Sequence, residues 1–149
     1  MREESALDPK ALSWAGARGL TQLMLSTAQA VARNVPEIKK VTPELLMQPD
    51  PNIRLGAAHL GSLLRQFNGN KAYAIASYNA GSHAVNRWRE QRADLELDEW
   101  VEEIPIAETR GYVKRVLRTY NTYQLLYSRG TPTVVPPATG GGAPVPGSR

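Results

Sequence analysis

A glutamate four residues into the chain opens the stretch with the most potential for chemistry. Glu4 is followed by Ser5, then by Leu7-Asp8-Pro9, where a helix must break. Ser13-Trp14-Ala15-Gly16-Ala17-Arg18-Gly19-Leu20 comes next, and its glycines allow a tight loop that passes close to another backbone or a ligand. Gln22 and Met24 then fall at the start of a helical pattern, where side chains can face a cleft. A carboxyl in such a setting could work as a general acid and base, provided that burial raises its pKa toward neutrality. Glu4 is also one of 14 acidic residues, and a lone glutamate is as a rule a solvated surface charge. On residue types alone both readings stay open. Metal chemistry finds little support. The chain has no cysteine, and His59 and His83 are too few for a protein-only zinc site and lie outside any His-Glu-x-x-His pattern. No phosphate-cradling glycine motif is present, so no cofactor and no metal are expected.

The elements that would position these residues are helical nearly throughout. Leu20, Leu23, Met24, Ala28, Val31 and Ala32 form one apolar stripe over residues 20–35. Thr42-Pro43-Glu44 and Asp50-Pro51-Asn52 both read as helix starts. The second leads into a helix with Ile53, Ala57, Leu60, Leu63, Leu64 and Phe67 on one face, ended by Asn68-Gly69-Asn70. A short apolar helix from Ala72 to Tyr78 stops at Asn79-Ala80-Gly81, and another begins near Ser82 with Val85 and Trp88. Residues 89–99 are highly charged and read as a solvated surface. The last helix starts after Pro105 and runs to about Ser128, with Val113, Val116, Leu117, Tyr120, Tyr123 and Tyr127 as its stripe. No segment alternates with period two, so the expectation is an all-α domain of six or seven helices over residues 1–130. Residues 131–149 hold five prolines and a Gly140-Gly141-Gly142 run, and are expected to be a disordered tail or the start of a linker.

The bulk numbers narrow the partners. Net charge is +4 with a pI near 9.6, but no run of five or more Lys/Arg occurs, so nucleic acid is not an expected partner. No apolar run approaches the roughly 20 residues that span a bilayer. The absence of cysteine excludes disulfides and leaves the compartment open. Met1 to Ser5 does not read as a signal peptide.

Four blocks, in order, carry a resemblance. The first is Glu4-Ser5, Asp8-Pro9-x-Ala11, Ser13-x-Ala15-Gly16-Ala17-x-Gly19-Leu20-x-Gln22-Leu23-Met24 and Thr27-Ala28. The second is Asn52-Ile53-x-Leu55-Gly56 with Leu60 and Leu64, and the third is Ala76-Ser77-Tyr78-Asn79-Ala80-Gly81 with Val85 and Trp88. The fourth is Glu103-Ile104-Pro105-Ile106-x-Glu108-Thr109-Arg110-x-Tyr112-Val113. Together they resemble the catalytic domain of soluble lytic transglycosylases of the Slt type.

That resemblance implies a lysozyme-like α fold with a glycan-binding groove, acting on the glycan strands of peptidoglycan. It implies Glu4 as sole acid/base and a 1,6-anhydromuramic product. No second acid lies in the Glu4 loop except Asp8, which reads better as a helix stop; a single acid fits substrate-assisted cleavage. Among substrate-binding residues, Ser13 would hydrogen-bond the carboxylate or the sugar, and Gln22 and Met24 would line the groove. Tyr78 would aim its hydroxyl at Glu4 or the substrate acetamide. Asn79 would build its turn or bind sugar, and Glu108 would bind glycan. Tyr112 is a candidate to stack on a sugar or to pack in the core, while Trp14, Trp88 and Trp100 are assigned to packing. The implied setting is the bacterial periplasm or cell envelope, and the implied state a monomer. In the resembled family the glutamate ends a longer helix than three preceding residues allow, so the chain is expected to belong to a longer parent. Alternatives are a goose-type muramidase hydrolysing the same bond, a peptidoglycan-binding fragment without turnover, and a basic helical protein that binds nucleic acid.

Overall fold

Pro49 at the start of one helix and Asn70 at the start of the next define the pair on which the domain is built. The structure, a computed structural model, describes residues 1–127. Helix α3 (Pro49–Gln66) follows Gln48, which is extended, and its proline occupies the first turn, where a missing N–H costs nothing. It ends where Asn68 and Gly69 turn left-handed. Asn70 then accepts a hydrogen bond from the Tyr73 N–H and caps α4 (Lys71–Ala80). Ala72, Ala74, Ile75, Ala76 and Ser77 of α4 are all buried. Small side chains let three neighbours close on this helix: α3, α5 (Ser82–Gln91) and α7 (Ala107–Tyr127). Leu63, Phe67, Ile75, Val85, Trp88, Trp100 and Val113 fill the core among them. A smaller core of Leu23, Ala28, Val31, Leu46 and Leu55 lies under α2 (Leu25–Ala32) and the 3-10 turn Leu45–Met47.

The remaining helices are α1 (Arg2–Ser5) and α6 (Leu97–Glu102). Among the described residues there are seven α-helices and no strand, only isolated bridges pairing Arg18 with Leu12 and with Leu23. The all-α expectation stands, with two local corrections. Residues 20–24 are not helical, because the backbone here is committed to the Arg18–Leu23 pairing and Gln22 sits at positive φ; α2 begins only at Leu25. Thr42-Pro43-Glu44 starts a 3-10 turn rather than an α-helix. The charged stretch over 89–99 is mostly exposed, as expected, and its end starts α6, whose Glu96/Glu99 capping box sets Trp100 and Val101 into the core. No helix among the described residues is long and apolar enough to cross a membrane. The tail over residues 131–149, and the domain's last residues 128–130, lie outside the described residues.

Candidate active site

A four-residue helix has no stability of its own, so α1 must be held from outside. The Ser5 hydroxyl donates to the Leu20 carbonyl at 2.9 Å. Glu3 pairs with Arg115 of α7 at 3.0 Å. The Tyr112 hydroxyl, also from α7, donates to the Glu4 carboxylate. The chain leaves α1 through two consecutive left-handed residues, Ala6 and Leu7, and the Asp8 carboxylate accepts from the Lys10 N–H at 2.8 Å. Asp8 thus completes a turn, as a helix-stop residue should.

The loop behind Glu4 is held by one buried amide. Asn52, in the first turns of α3 and wholly buried, accepts from the Thr21 N–H and hydroxyl, each at 2.8 Å. Its NH2 donates to the carbonyls of Arg18 (3.0 Å) and Leu46 (2.9 Å). Gly19, at φ +73°, is packed so closely that a Cβ would stand 2.2 Å from the Leu46 oxygen. Gly56, one turn beyond Asn52, takes the Thr21 side chain, and a Cβ there would stand 2.6 Å from it. The Thr21 carbonyl faces the site and accepts from the Tyr78 hydroxyl at 2.9 Å.

Two alanine substitutions in α3 should therefore act with opposite sign. Gly56→Ala is expected to cost about 2 kcal/mol, because the pinned Thr21 cannot withdraw. Gly61→Ala meets nothing nearer than the end of the Arg65 side chain at 3.6 Å and should gain up to about 1 kcal/mol from helix propensity. Thermal melts of the two variants check this; equal shifts would show that Gly56 is not a packing contact.

Glu4 borders a cleft of about 480 Å³, lined also by Tyr78, Tyr112 and Thr21 and by the apolar side chains of Ile53, Leu60, Ile75 and Val116. Burial raises the Glu4 pKa above the ordinary glutamate range; the Tyr112 hydrogen bond and the N-terminal amine oppose that rise, and Glu3 adds to it. Burial and the charge of Glu4 push the Tyr112 phenol well up, so it remains a donor at neutral pH. Burial does the same for Tyr78. His59 packs on the Tyr78 ring at 5.0 Å between centroids, and burial lowers its pKa, which favours the neutral imidazole.

Of the candidate site residues named from the sequence, Glu4, Tyr78 and Tyr112 border this cleft, and Ser13, Gln22, Met24, Asn79 and Glu108 do not. Ser13 is a turn serine whose Oγ accepts from the Ala17 N–H at 2.9 Å. Gln22 turns its amide back onto the carbonyls of Ala11 and Gly19, at 3.1 and 2.9 Å. Met24 is exposed at the N-cap of α2. Asn79 accepts from the Thr109 hydroxyl at 2.7 Å, which joins the end of α4 to the first turn of α7, where Glu108 is exposed. The Tyr78 hydroxyl goes to a backbone carbonyl rather than to Glu4. The phenol on Glu4 is Tyr112, which is neither a stacking platform nor only a core residue. Trp14 does not pack at all: it is 100% exposed.

Two roles escaped the sequence reading although signals existed: the Tyr112 bond to Glu4 and the Asn52 hub. Thr109, Tyr112, Val113 and Val116 follow helical spacing, which turns Tyr112 inward. Asn52 shares a buried face with Leu55, Gly56 and Leu63, an amide where an apolar residue would be expected.

The arrangement has counterparts among known proteins. The transglycosylase SLT domain family model matches residues 1–101. A putative soluble lytic murein transglycosylase of Haemophilus influenzae is 41% identical over 134 residues, covering 89% of this chain and 22% of that protein. The crystal structure of the 70 kDa soluble lytic transglycosylase from Escherichia coli superposes with a TM-score of 0.80 at 37% identity, over 84% of this chain and 20% of that one. An inactive mutant of the lytic transglycosylase Slt from Pseudomonas aeruginosa gives 0.79 at 42% identity, over 88% and 21%. The chain thus spans about a fifth of the length of the relatives it matches. With its helical fold, its Glu-Ser pair and two thirds of its length accounted for, this chain belongs to the transglycosylase SLT domain family.

Proposed function

We propose that the chain is a lytic transglycosylase domain that cleaves the bond between N-acetylmuramic acid and N-acetylglucosamine in peptidoglycan, with Glu4 as its single acid and base. One observation carries the reading: the Glu4 carboxyl lies in largely apolar surroundings that favour its protonated form, and a phenol fixes its orientation. Protonated Glu4 gives its proton to the glycosidic oxygen as the bond to the anomeric carbon breaks. The acetamide oxygen of the muramic residue attacks that carbon. The Glu4 carboxylate, stabilised by the Tyr112 hydroxyl, then takes the proton of the C6 hydroxyl, whose oxygen closes onto C1 and expels the acetamide. The carboxyl ends as it began and no water is consumed. Glu3, the other acid at the cleft, is engaged with Arg115, which supports a one-carboxyl mechanism.

Met24, Asn79 and Glu108, whose side chains stay exposed, are proposed to meet the glycan; Ser13 and Gln22 would act through the loop they shape. The matched relatives are bacterial, and the substrate puts the protein in the periplasm or cell envelope. Digestion of purified peptidoglycan followed by mass spectrometry tests the reading. Muramic ends lighter by one water, the 1,6-anhydro form, are expected. Reducing ends would instead show hydrolysis of goose-lysozyme type.

The shifted carboxyl also has a stability signature. The folded pKa of Glu4 lies above the unfolded one, so its favourable contribution is complete below the unfolded pKa and is lost as pH rises through the folded pKa. Glu4→Gln cannot ionise and escapes that loss. Its melting temperature should gain on wild type as the pH is raised from mildly acidic to neutral. A difference that stays constant across this range would show that Glu4 is not desolvated.

A further inference from the structure

Three tryptophans are present, and two behave as large apolar residues normally do: Trp88 and Trp100 are buried in the core. Trp14 is 100% exposed. Its exposure is not that of a loose loop. The turn that carries it is closed by Ser13 N–H to the Ala17 carbonyl (3.0 Å), Gly16 N–H to the Ser13 carbonyl (3.0 Å) and Ala17 N–H to the Ser13 hydroxyl (2.9 Å). Gly16, at φ +88°, supplies the left-handed residue that the turn needs. Below the turn, Leu12 pairs with Arg18 and the Gly19 N–H donates to Ala11. The base of this hairpin is the loop that Ser5 and Asn52 fasten beside Glu4. The ring is therefore carried on a rigid arm joined to the helix of the acid, with its tip about 10 Å beyond the hairpin's base at strand-like rise per residue.

We infer that Trp14 is a stacking platform for a sugar ring of the glycan strand, set at a fixed offset from Glu4; the inference rests on the glycan reading above. A single flat apolar ring, free on its surface and carried on a hydrogen-bonded turn, suits the apolar face of a pyranose. The Arg18 guanidinium donates to the Gly16 carbonyl at 2.6 Å and so braces the turn beneath the ring.

Because the other two indoles are buried, acrylamide quenching reads Trp14. In the Glu4→Gln protein, which would hold a sugar without consuming it, saturating tetra-N-acetylchitotetraose should lower the quenchable fluorescence by about half or more. Trp14→Ala should raise KM for isolated glycan strands on the order of five- to tenfold with kcat within about twofold, and Trp14→Phe should restore most of it. Its melting temperature should not change, since the side chain packs on nothing. Sugar that binds while Trp14 stays fully quenchable, or an unchanged KM in Trp14→Ala, overturns this inference and leaves the glycan reading intact. Protection by phosphatidylglycerol vesicles but not by the sugar overturns it in favour of a membrane contact. A wild-type chain that neither binds nor cuts glycan removes both readings.

Discussion

Asn52→Ala is expected to lower stability by about 3 kcal/mol, a fall in melting temperature of roughly 10 °C for a domain of this size. The figure follows from what the amide leaves behind. The Thr21 N–H and hydroxyl lose their acceptor, and the Arg18 and Leu46 carbonyls lose a donor, in a place closed to solvent. Each orphaned buried group costs on the order of 1–3 kcal/mol, and partial relaxation toward water recovers some of it. Asn52→Asp tests the geometry further. It keeps the two acceptor contacts but sets a carboxylate oxygen against two carbonyls, so it should be no better than alanine. The site suffers with the fold, because the released loop contains the Thr21 carbonyl that anchors Tyr78 and the Leu20 carbonyl that anchors Ser5. Activity measured well below the melt should therefore fall by more than the unfolded fraction explains, since displacements near 1 Å can cost on the order of a hundredfold. Melting curves and peptidoglycan turnover at a temperature where the variant is folded check both parts; an Asn52→Ala protein as stable as wild type would remove the amide from the account.

The sequence was most readable where one physical signal acted alone. Apolar spacing and the Asp50-Pro51-Asn52, Asn68-Gly69 and Gly81 punctuation mark out α3, α4 and α5 because propensity, pattern and turn chemistry agree there. The same spacing misleads over residues 20–24. Leu20 and Leu23 fit a helical stripe, yet the contacts that decide the backbone come from Asn52, some 31 residues away, and no local window contains them. α1 is a similar case: three residues ahead of Glu4 cannot sustain a helix, and what holds it are Tyr112 and Arg115, more than a hundred residues on. Glu4 itself was legible only through the motif resemblance, since its shift comes from burial that residue order does not display. Trp14 was misassigned because tryptophan is large and usually packs, whereas its position in the turn closed by Ser13 and Ala17 leaves its ring fully exposed. Ser13 and Gln22 lie in the expected segment, where the Ser13 Oγ accepts from, and the Gln22 NH2 donates to, the loop's own backbone.

Glu4→Gln should leave the fold intact and abolish most turnover. Glutamine keeps the volume and can still accept from the Tyr112 hydroxyl, so helix α1 has no reason to move. What it lacks is a proton to give and a charge to receive one. A positioned acid/base contributes on the order of 10²–10⁴ in rate, and here one group serves both halves of the reaction, which places the loss at or beyond the upper end of that range. The direct measurement is the rate at which purified peptidoglycan releases soluble fragments with wild type and with Glu4→Gln, at equal concentration and below both melts. A fall of about a thousandfold or more, with sugar binding retained, is the expected result. Release of fragments by the amide variant at the wild-type rate would contradict the assignment of Glu4.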